Sequence, residues 1–212
     1  MKIGIPKSNM FGIDSWKKTL SPLIENLVLT EIRPKNLKNV DIIIFDGGAD
    51  IHPNFYGQFI EKGTHVHSNR DFDELFLFKY YYNTPTKFAG ICRGHQLLNV
   101  LMHGTLIQDL PSNKIFHGSS HSVVNENQRS VLTKYIPKKP FIVNSLHHQA
   151  VDKLGLNLMG TIVHNGYGTV EGIESMPGTG DKIRAVQSHP EMGFNDGRIS
   201  DNVLRYLLRC DV

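Results

Sequence analysis

One cysteine stands where a turn between a strand and a helix would present it. The stretch Gly90-Ile91-Cys92-Arg93-Gly94-His95-Gln96 puts a glycine two residues before Cys92 and another two residues after it. That spacing suits a nucleophile elbow, a sharp turn that lifts one side chain out of a sheet. Small residues are needed on both sides, because a side chain there would collide with the turn or cover the nucleophile. A helix beginning just after the cysteine aims free N–H groups and the positive end of its dipole at the sulfur. Such a setting favours thiolate over the ordinary thiol, whose pKa is about 8.5. The backbone amide of Arg93 would be one donor of an oxyanion hole. The competing reading is a buried structural cysteine between two loop glycines, and on this stretch alone the two stand level.

A second stretch shifts the balance. Ile183 to Gln187 reads as a strand, and Ser188-His189-Pro190-Glu191 follows it. A thiol attacking an amide needs a base to hold its proton and pass it to the leaving amine. That base needs a third group to orient it. On an extended segment His189 and Glu191, two residues apart, would point the same way, with Pro190 stiffening the link. A plain polar turn after a strand is the alternative. With Cys92 on an elbow, the catalytic reading is favoured: Cys92 as nucleophile, His189 as base and acid, Glu191 as its orienting carboxylate.

The elements that must carry these groups follow a βα rhythm. Lys2 to Ile5 reads as a strand, then a helix with Trp16, Leu20, Leu23, Ile24 and Leu27 on one face, which Pro22 should kink or split. Val28 to Ile32 reads as a second strand. Asp41 to Phe45 is a continuous apolar run, as expected of a parallel strand buried on both faces. Helices are expected over 68–81 and 94–102, with a strand at Lys87 to Ile91 between them. The second half reads as shorter β segments: 106–107, 122–124, 141–143, 158–164, 169–173 and 183–187. A last helix carries Val203, Leu204, Leu207 and Leu208. The expected fold is α/β: an open, mostly parallel central sheet flanked by helices, with a β-rich second half, in a single domain over 1–212.

Composition narrows the class. The chain has 212 residues, 40% of them hydrophobic and 20% charged, which is ordinary globular usage. A formal charge of +3, with lysines and arginines scattered, argues against nucleic acid as a partner. The two cysteines, Cys92 and Cys210, offer no disulfide framework and favour a reducing compartment. No apolar run approaches the roughly 20 residues of a membrane span, and the first residues lack a signal-peptide core. The expectation is a cytoplasmic protein with no membrane association.

At this point the residues resemble a known family. The Cys92 elbow with His189-Pro190-Glu191 is similar to the class I (triad) glutamine amidotransferases. Further motifs resemble the peptidase C26 branch, the γ-glutamyl-γ-aminobutyrate hydrolase-like proteins. They are Asp46-Gly47-Gly48-Ala49-Asp50-Ile51-His52-Pro53 with Tyr56-Gly57, Arg70-Asp71, Gly104 to Leu110, His121-Ser122-Val123 and Val143 to Gln149. The resemblance implies a flavodoxin-like fold and a γ-glutamyl thioester on Cys92. It also implies an oxyanion hole of backbone amides at Gly48 and Arg93, and substrate contacts from Gly47 and Gln96. No metal or organic cofactor is implied.

Two functional readings stay open from the resemblance. One is a stand-alone hydrolase of γ-glutamyl conjugates of small amines. The other is a glutaminase subunit feeding ammonia to a separate synthetase or ligase partner. Arg93 is more typical of the hydrolases, and His95 beside Gln96 of the synthetase-linked enzymes. A third reading, a non-catalytic binding member, sits poorly with an intact Cys92, His189 and Glu191.

The remaining histidines do not read as a metal site. His117 and His121 are four apart, but Gly118-Ser119-Ser120 between them reads as loop, and no carboxylate cluster accompanies them in the sequence. Metal binding is therefore not expected. His147 reads equally well as a substrate contact and as a hydrogen-bonded structural residue. Asp50, Arg70 and Asp71 read as loop and helix-cap supports.

Overall fold

The structure, a computed structural model, describes residues 1–116 and 118–211. The first half supplies strands β1 (Lys2–Pro6), β2 (Val28–Ile32), β3 (Ile42–Phe45) and β4 (Lys87–Ile91). The second supplies β5 (Leu106–Ile107), β6 (Ser120–Asn125), β7 (Phe141–Asn144), β8 (Ala150–Val151), β9 (Leu158–Gly160), β10 (Ile162–His164), β11 (Gly172–Ser175) and β12 (Ile183–Val186). The helices are α1 (Ile13–Leu20), α2 (Ser68–Tyr82), α3 (Arg93–Leu101) and α4 (Gly197–Leu208).

Seven strands form the central sheet in the order β2-β1-β3-β4-β12-β11-β9. From β2 to β12 every neighbouring pair is parallel, and β11 and β9 add an antiparallel edge. β10, β6 and β7 make a small antiparallel sheet beside it, and β5 pairs with β8. This is the α/β architecture expected, with β-rich structure in the second half.

The apolar run at β3 explains the layering. All four of its residues are buried, and alternate side chains enter different cores. Ile42 and Ile44 join Trp16 and Leu20 of α1 and Val203, Leu204 and Leu207 of α4 on one face. Ile43 and Phe45 join Leu77 and Phe78 of α2 and Leu97 and Leu98 of α3 on the other. Each such side chain contributes roughly 1.5–3 kcal/mol when fully buried. Helix α1 stops at Leu20, just before Pro22, as the proline requires.

Two segments depart from the sequence reading. The run 158–164 is two strands, not one: β9 belongs to the central sheet and β10 to the small one. The chain changes sheets at the buried Thr161, whose N–H donates to the Gly172 carbonyl (2.9 Å) and whose carbonyl accepts from Glu126 N–H (3.1 Å). Residues 169–171 then fold back along β10, with His164 N–H on Thr169 O and Glu171 N–H on Ile162 O, both 2.9 Å. Strand β11 accordingly starts only at Gly172. The return is possible because Gly166 and Gly168 take φ of 142° and 70°.

The topology positions the site. β3, β4 and β12 are adjacent and parallel, so their carboxyl ends lie at one edge. Asp46-Gly47-Gly48, Cys92 and Gln187-Ser188-His189 follow those three ends directly. Open α/β sheets bind ligands at this edge.

Candidate active site

Cys92 is the turn between β4 and α3. Its φ of 52° and ψ of −107° are uncommon for a residue with a side chain. Such a conformation costs on the order of 1–3 kcal/mol and persists only where neighbours hold it. Here Cys92 N–H donates to Val186 O (2.9 Å), extending the β4–β12 pairing, and Cys92 O accepts from Gln96 N–H (3.2 Å), opening the helix. The glycines are sterically obligatory. A Cβ on Gly94 would lie 1.9 Å from the Phe45 carbonyl oxygen, and one on Gly90 would lie 2.6 Å from that of Gly94.

His189 is held from several sides. Its N–H donates to Asn144 Oδ1 (2.7 Å), and Asn144 Nδ2 donates back to His189 O (2.8 Å). Its Nδ1 lies 2.7 Å from Glu191 Oε1, and the ring is close enough to Cys92 for the sulfur to act on its charge. With Nδ1–H on the carboxylate, Nε2 is the nitrogen left for the sulfur. Gly47 packs under the ring, and a Cβ there would lie 2.8 Å from Cε1. The expected extended path from His189 to Glu191 is not what forms. Pro190–Met192 is a 3₁₀ turn with proline at its start, where the missing N–H costs nothing. Glu191 reaches the ring by folding back.

The electrostatics follow from those contacts. Burial alone would lower the His189 pKa, but the bonds and charges of Cys92 and Glu191 outweigh it and raise the value to about 10. The ring is therefore an imidazolium at neutral pH, and its charge is lost only as pH rises through about 10. If His189 acts on substrate, the alkaline limb of kcat/KM should fall near pH 10, well above an ordinary histidine's value of about 6.5. A pH–rate profile whose alkaline limb lies near 6–7 would contradict this arrangement.

Gln187 belongs to the same constellation, and the sequence reading does not find it. Its Nε2 donates to Cys92 Sγ at 3.6 Å. Its Oε1 accepts from Gln96 Nε2 (3.1 Å) and lies 3.3 Å from His95 Nδ1. Complete burial pushes the His95 pKa down to about 4, so this ring is neutral and Nδ1 carries the proton toward Gln187. The available signal is spacing: Gln187 and His189 are two residues apart at a strand end and share a side.

Beneath the loop after β3 lies a buried ionic platform. The Arg93 side chain, 1% exposed, pairs with Asp71 and Glu74 of α2. Arg70 donates to Glu74 Oε1 (2.8 Å), Asp46 Oδ1 (2.9 Å), Asp46 O (3.1 Å) and Gly47 O (2.7 Å). Because the Gly47 carbonyl is turned to Arg70, the Gly48 N–H of the same trans peptide points the other way. Gly48 has φ +147°, and a Cβ there would lie 2.2 Å from Arg70 Nη1. Asp46 also accepts from Met10 and Phe11 N–H (3.0 and 2.9 Å), tying in the loop after β1. Asp71 is no helix cap as expected: its carboxylate goes to Arg93 and to His52 N–H (3.0 Å). Asp50 supports the loop, accepting from His65 N–H (2.7 Å) and facing His148 Nε2 (3.1 Å).

Other expected residues fall as follows. Gln96 is buried in the wall behind Cys92, its Nε2 donating to Gln149 O (3.0 Å) as well as to Gln187. The His147 ring is directed at protein groups, Nδ1 at Gln149 O (2.9 Å) and Nε2 toward Glu171 (3.9 Å). This corrects the reading that no carboxylate accompanies the histidines. Glu171, remote in sequence, is brought to His121 and His147 by the fold-back of 169–171 along β10. His117 lies outside the described residues. Cys210 follows α4, and burial pushes its thiol pKa up.

Two clefts open on this side of the molecule, and neither is lined by Cys92 or His189. One of about 520 Å³ passes Phe11, Trp16, Glu191 and Met192, and one of about 450 Å³ passes Gly48, Ala49 and Arg70. A cleft of about 800 Å³ lies at the opposite edge, by Lys2, Asp41 and Lys87, remote from Cys92. Among the described residues no helix is long and apolar enough to cross a membrane.

The fold is shared with solved structures. A protein described as a GMP synthase subunit from Thermoplasma acidophilum matches with a TM-score of 0.72 and 15% identity, over 99% of this chain and 92% of that one. A glutamine amidotransferase from Thermotoga maritima matches with a TM-score of 0.67 and 14% identity, over 99% and 96%. At such identities the likeness speaks for the fold, and the class it defines is the glutamine amidotransferase type of α/β protein. The sequence goes further: the chain belongs to the peptidase C26 family, whose profile matches residues 23–191. YvdE, a glutamine amidotransferase-like protein of Lactococcus lactis, is 36% identical over 180 residues, which are 78% of this chain and 73% of YvdE.

Proposed function

We propose that the chain hydrolyses γ-glutamyl amide bonds through a thioester on Cys92. The observation that carries this is the His189 ring, bonded to Glu191, packed on Gly47 and coupled electrostatically to Cys92. The Cys92 thiolate attacks the amide carbonyl carbon. The negative oxygen that results is met by the N–H groups of Arg93 and Gly48. The His189 imidazolium gives its proton to the amine nitrogen, the C–N bond breaks, and the amine leaves. Neutral His189 then takes a proton from water, whose oxygen attacks the thioester carbon. The C–S bond breaks, the sulfur leaves as thiolate and glutamate is released. Glu191 holds the ring throughout, and Gln187 donates to the sulfur. No cofactor enters these steps.

The γ-glutamyl identity of the acyl group rests on membership of the peptidase C26 family. A cytoplasmic setting agrees with both cysteines being free. A second reading, ammonia supply to a partner synthetase, is favoured by the likeness to the GMP synthase subunit, which spans 99% of this chain. One experiment addresses both. The purified chain alone is assayed for glutamate release from glutamine and from a panel of γ-glutamyl amines. The hydrolase reading expects efficient turnover of at least one γ-glutamyl amine. Slow turnover confined to glutamine would favour the second reading, and no glutamate from any substrate would sink the first.

A further inference from the structure

A second group of donors converges that the thioester chemistry does not use. His121 stands on β6, His147 in the loop after β7, and Glu171 on the fold-back that precedes β11. His121 Nε2 lies 3.5 Å and His147 Nε2 3.9 Å from Glu171 Oε2. One donor atom from each residue falls within 4.8 Å of the others. The three side chains are 5%, 2% and 1% exposed. Three elements far apart in the chain therefore bring two imidazoles and one carboxylate to a single buried point.

We propose that His121, His147 and Glu171 bind a divalent transition-metal ion of the zinc class. Two histidines and one glutamate form an established zinc donor set, with a fourth position left for water. Zinc bonds of about 2.0–2.2 Å in a tetrahedron hold donors roughly 3.4 Å apart. The separations of 3.5 and 3.9 Å are within about half an ångström of that. The outer contacts fit as well. His147 Nδ1–H on the Gln149 carbonyl at 2.9 Å leaves the Nε2 lone pair facing the centre. A backbone carbonyl in that role is what usually fixes the tautomer of a metal-binding histidine. The His164 ring packs against His121 with centroids 4.6 Å apart, and restricts its rotation.

The site adjoins the catalytic wall, and its three donor atoms are not part of it. Gln187 N–H donates to Glu171 O (2.8 Å), and Gln149 O receives Gln96 Nε2 (3.0 Å). A bound ion would brace the strand end and loop against which Gln187 and Gln96 stand.

The test uses Zn²⁺ alone and the Cys92→Ala protein, so that the active-site thiol cannot supply the ligand. Calorimetric titration should show one saturable equivalent, and the melting temperature should rise with added Zn²⁺. Glu171→Gln and His147→Gln, each in the same background, should weaken binding by about 100-fold or more. Co²⁺ added to the Cys92→Ala protein with its three donors intact should give the visible bands of a tetrahedral ion. This arm does not depend on either variant folding. Absence of saturable Zn²⁺ binding, or equal affinity after Glu171→Gln and His147→Gln, would overturn the proposal. Turnover plays no part in these readouts, so failure here leaves the thioester reading standing, and the converse holds.

Discussion

Cys92→Ala should abolish hydrolysis of γ-glutamyl amides, with kcat/KM falling by at least about 10⁴-fold, while the fold survives. The size follows from the role: loss of a nucleophile removes the covalent route and leaves only binding and oxyanion stabilisation. The fold survives because alanine keeps the Cβ and the backbone bonds of Cys92 to Val186 and Gln96. Cys92→Ser should be nearly as damaging. A serine hydroxyl does not ionise at neutral pH, so the charge that helps hold the His189 pKa near 10 disappears. The measurement is steady-state hydrolysis beside a thermal melt. Retention of more than a few per cent of activity by a folded Cys92→Ala protein would remove Cys92 from the mechanism.

Arg93→Met should be the most destabilising single substitution near the site that spares the triad. The Arg93 guanidinium is buried between Asp71 and Glu74. Its removal leaves two buried carboxylates short of a partner, since of the two Arg70 reaches only Glu74. Removing one member of a buried ion pair typically costs about 3–5 kcal/mol. For a chain of this size each kcal/mol moves Tm by about 2–4 °C. A fall of about 10 °C is expected, with weaker activity even below the melt because α2 and the loop after β3 lose their common anchor. A Tm within a degree or two of the parent would show that the platform carries little of the fold's stability.

The sequence made the cysteine elbow and the strand that carries it legible for local reasons. Gly90 and Gly94 mark the elbow because the turn admits no Cβ at either position. The 42–45 run marks a central strand because both of its faces are covered. What stayed hidden depends on contacts between distant segments. Nothing in the sequence pairs the Arg93 side chain with a partner until α2 brings Asp71 and Glu74 against it. Gln187 looks like the last residue of a strand until β4 and β12 pair and set it on the sulfur. Glu171 looks like an isolated carboxylate within a β segment until the chain folds back at Gly166 and Gly168. The turn at Pro190 is hidden for another reason: a His-Pro-Glu step is compatible with extended and 3₁₀ paths alike, and packing against Asn144 and Gly47 decides between them.

The central claim is that Cys92 carries the acyl group, and covalent trapping tests it most directly. The protein is treated with a glutamine analogue bearing an electrophilic group in place of the amide, digested, and mapped by mass spectrometry. The two cysteines serve as internal controls for each other. Cys92 receives a hydrogen bond from Gln187 and couples electrostatically to His189. Cys210 has a thiol pKa raised by burial and its Sγ on the Leu208 carbonyl. The expected result is one label, on Cys92, with activity lost in proportion. Label confined to Cys210, or full labelling of Cys92 with activity intact, would contradict the account.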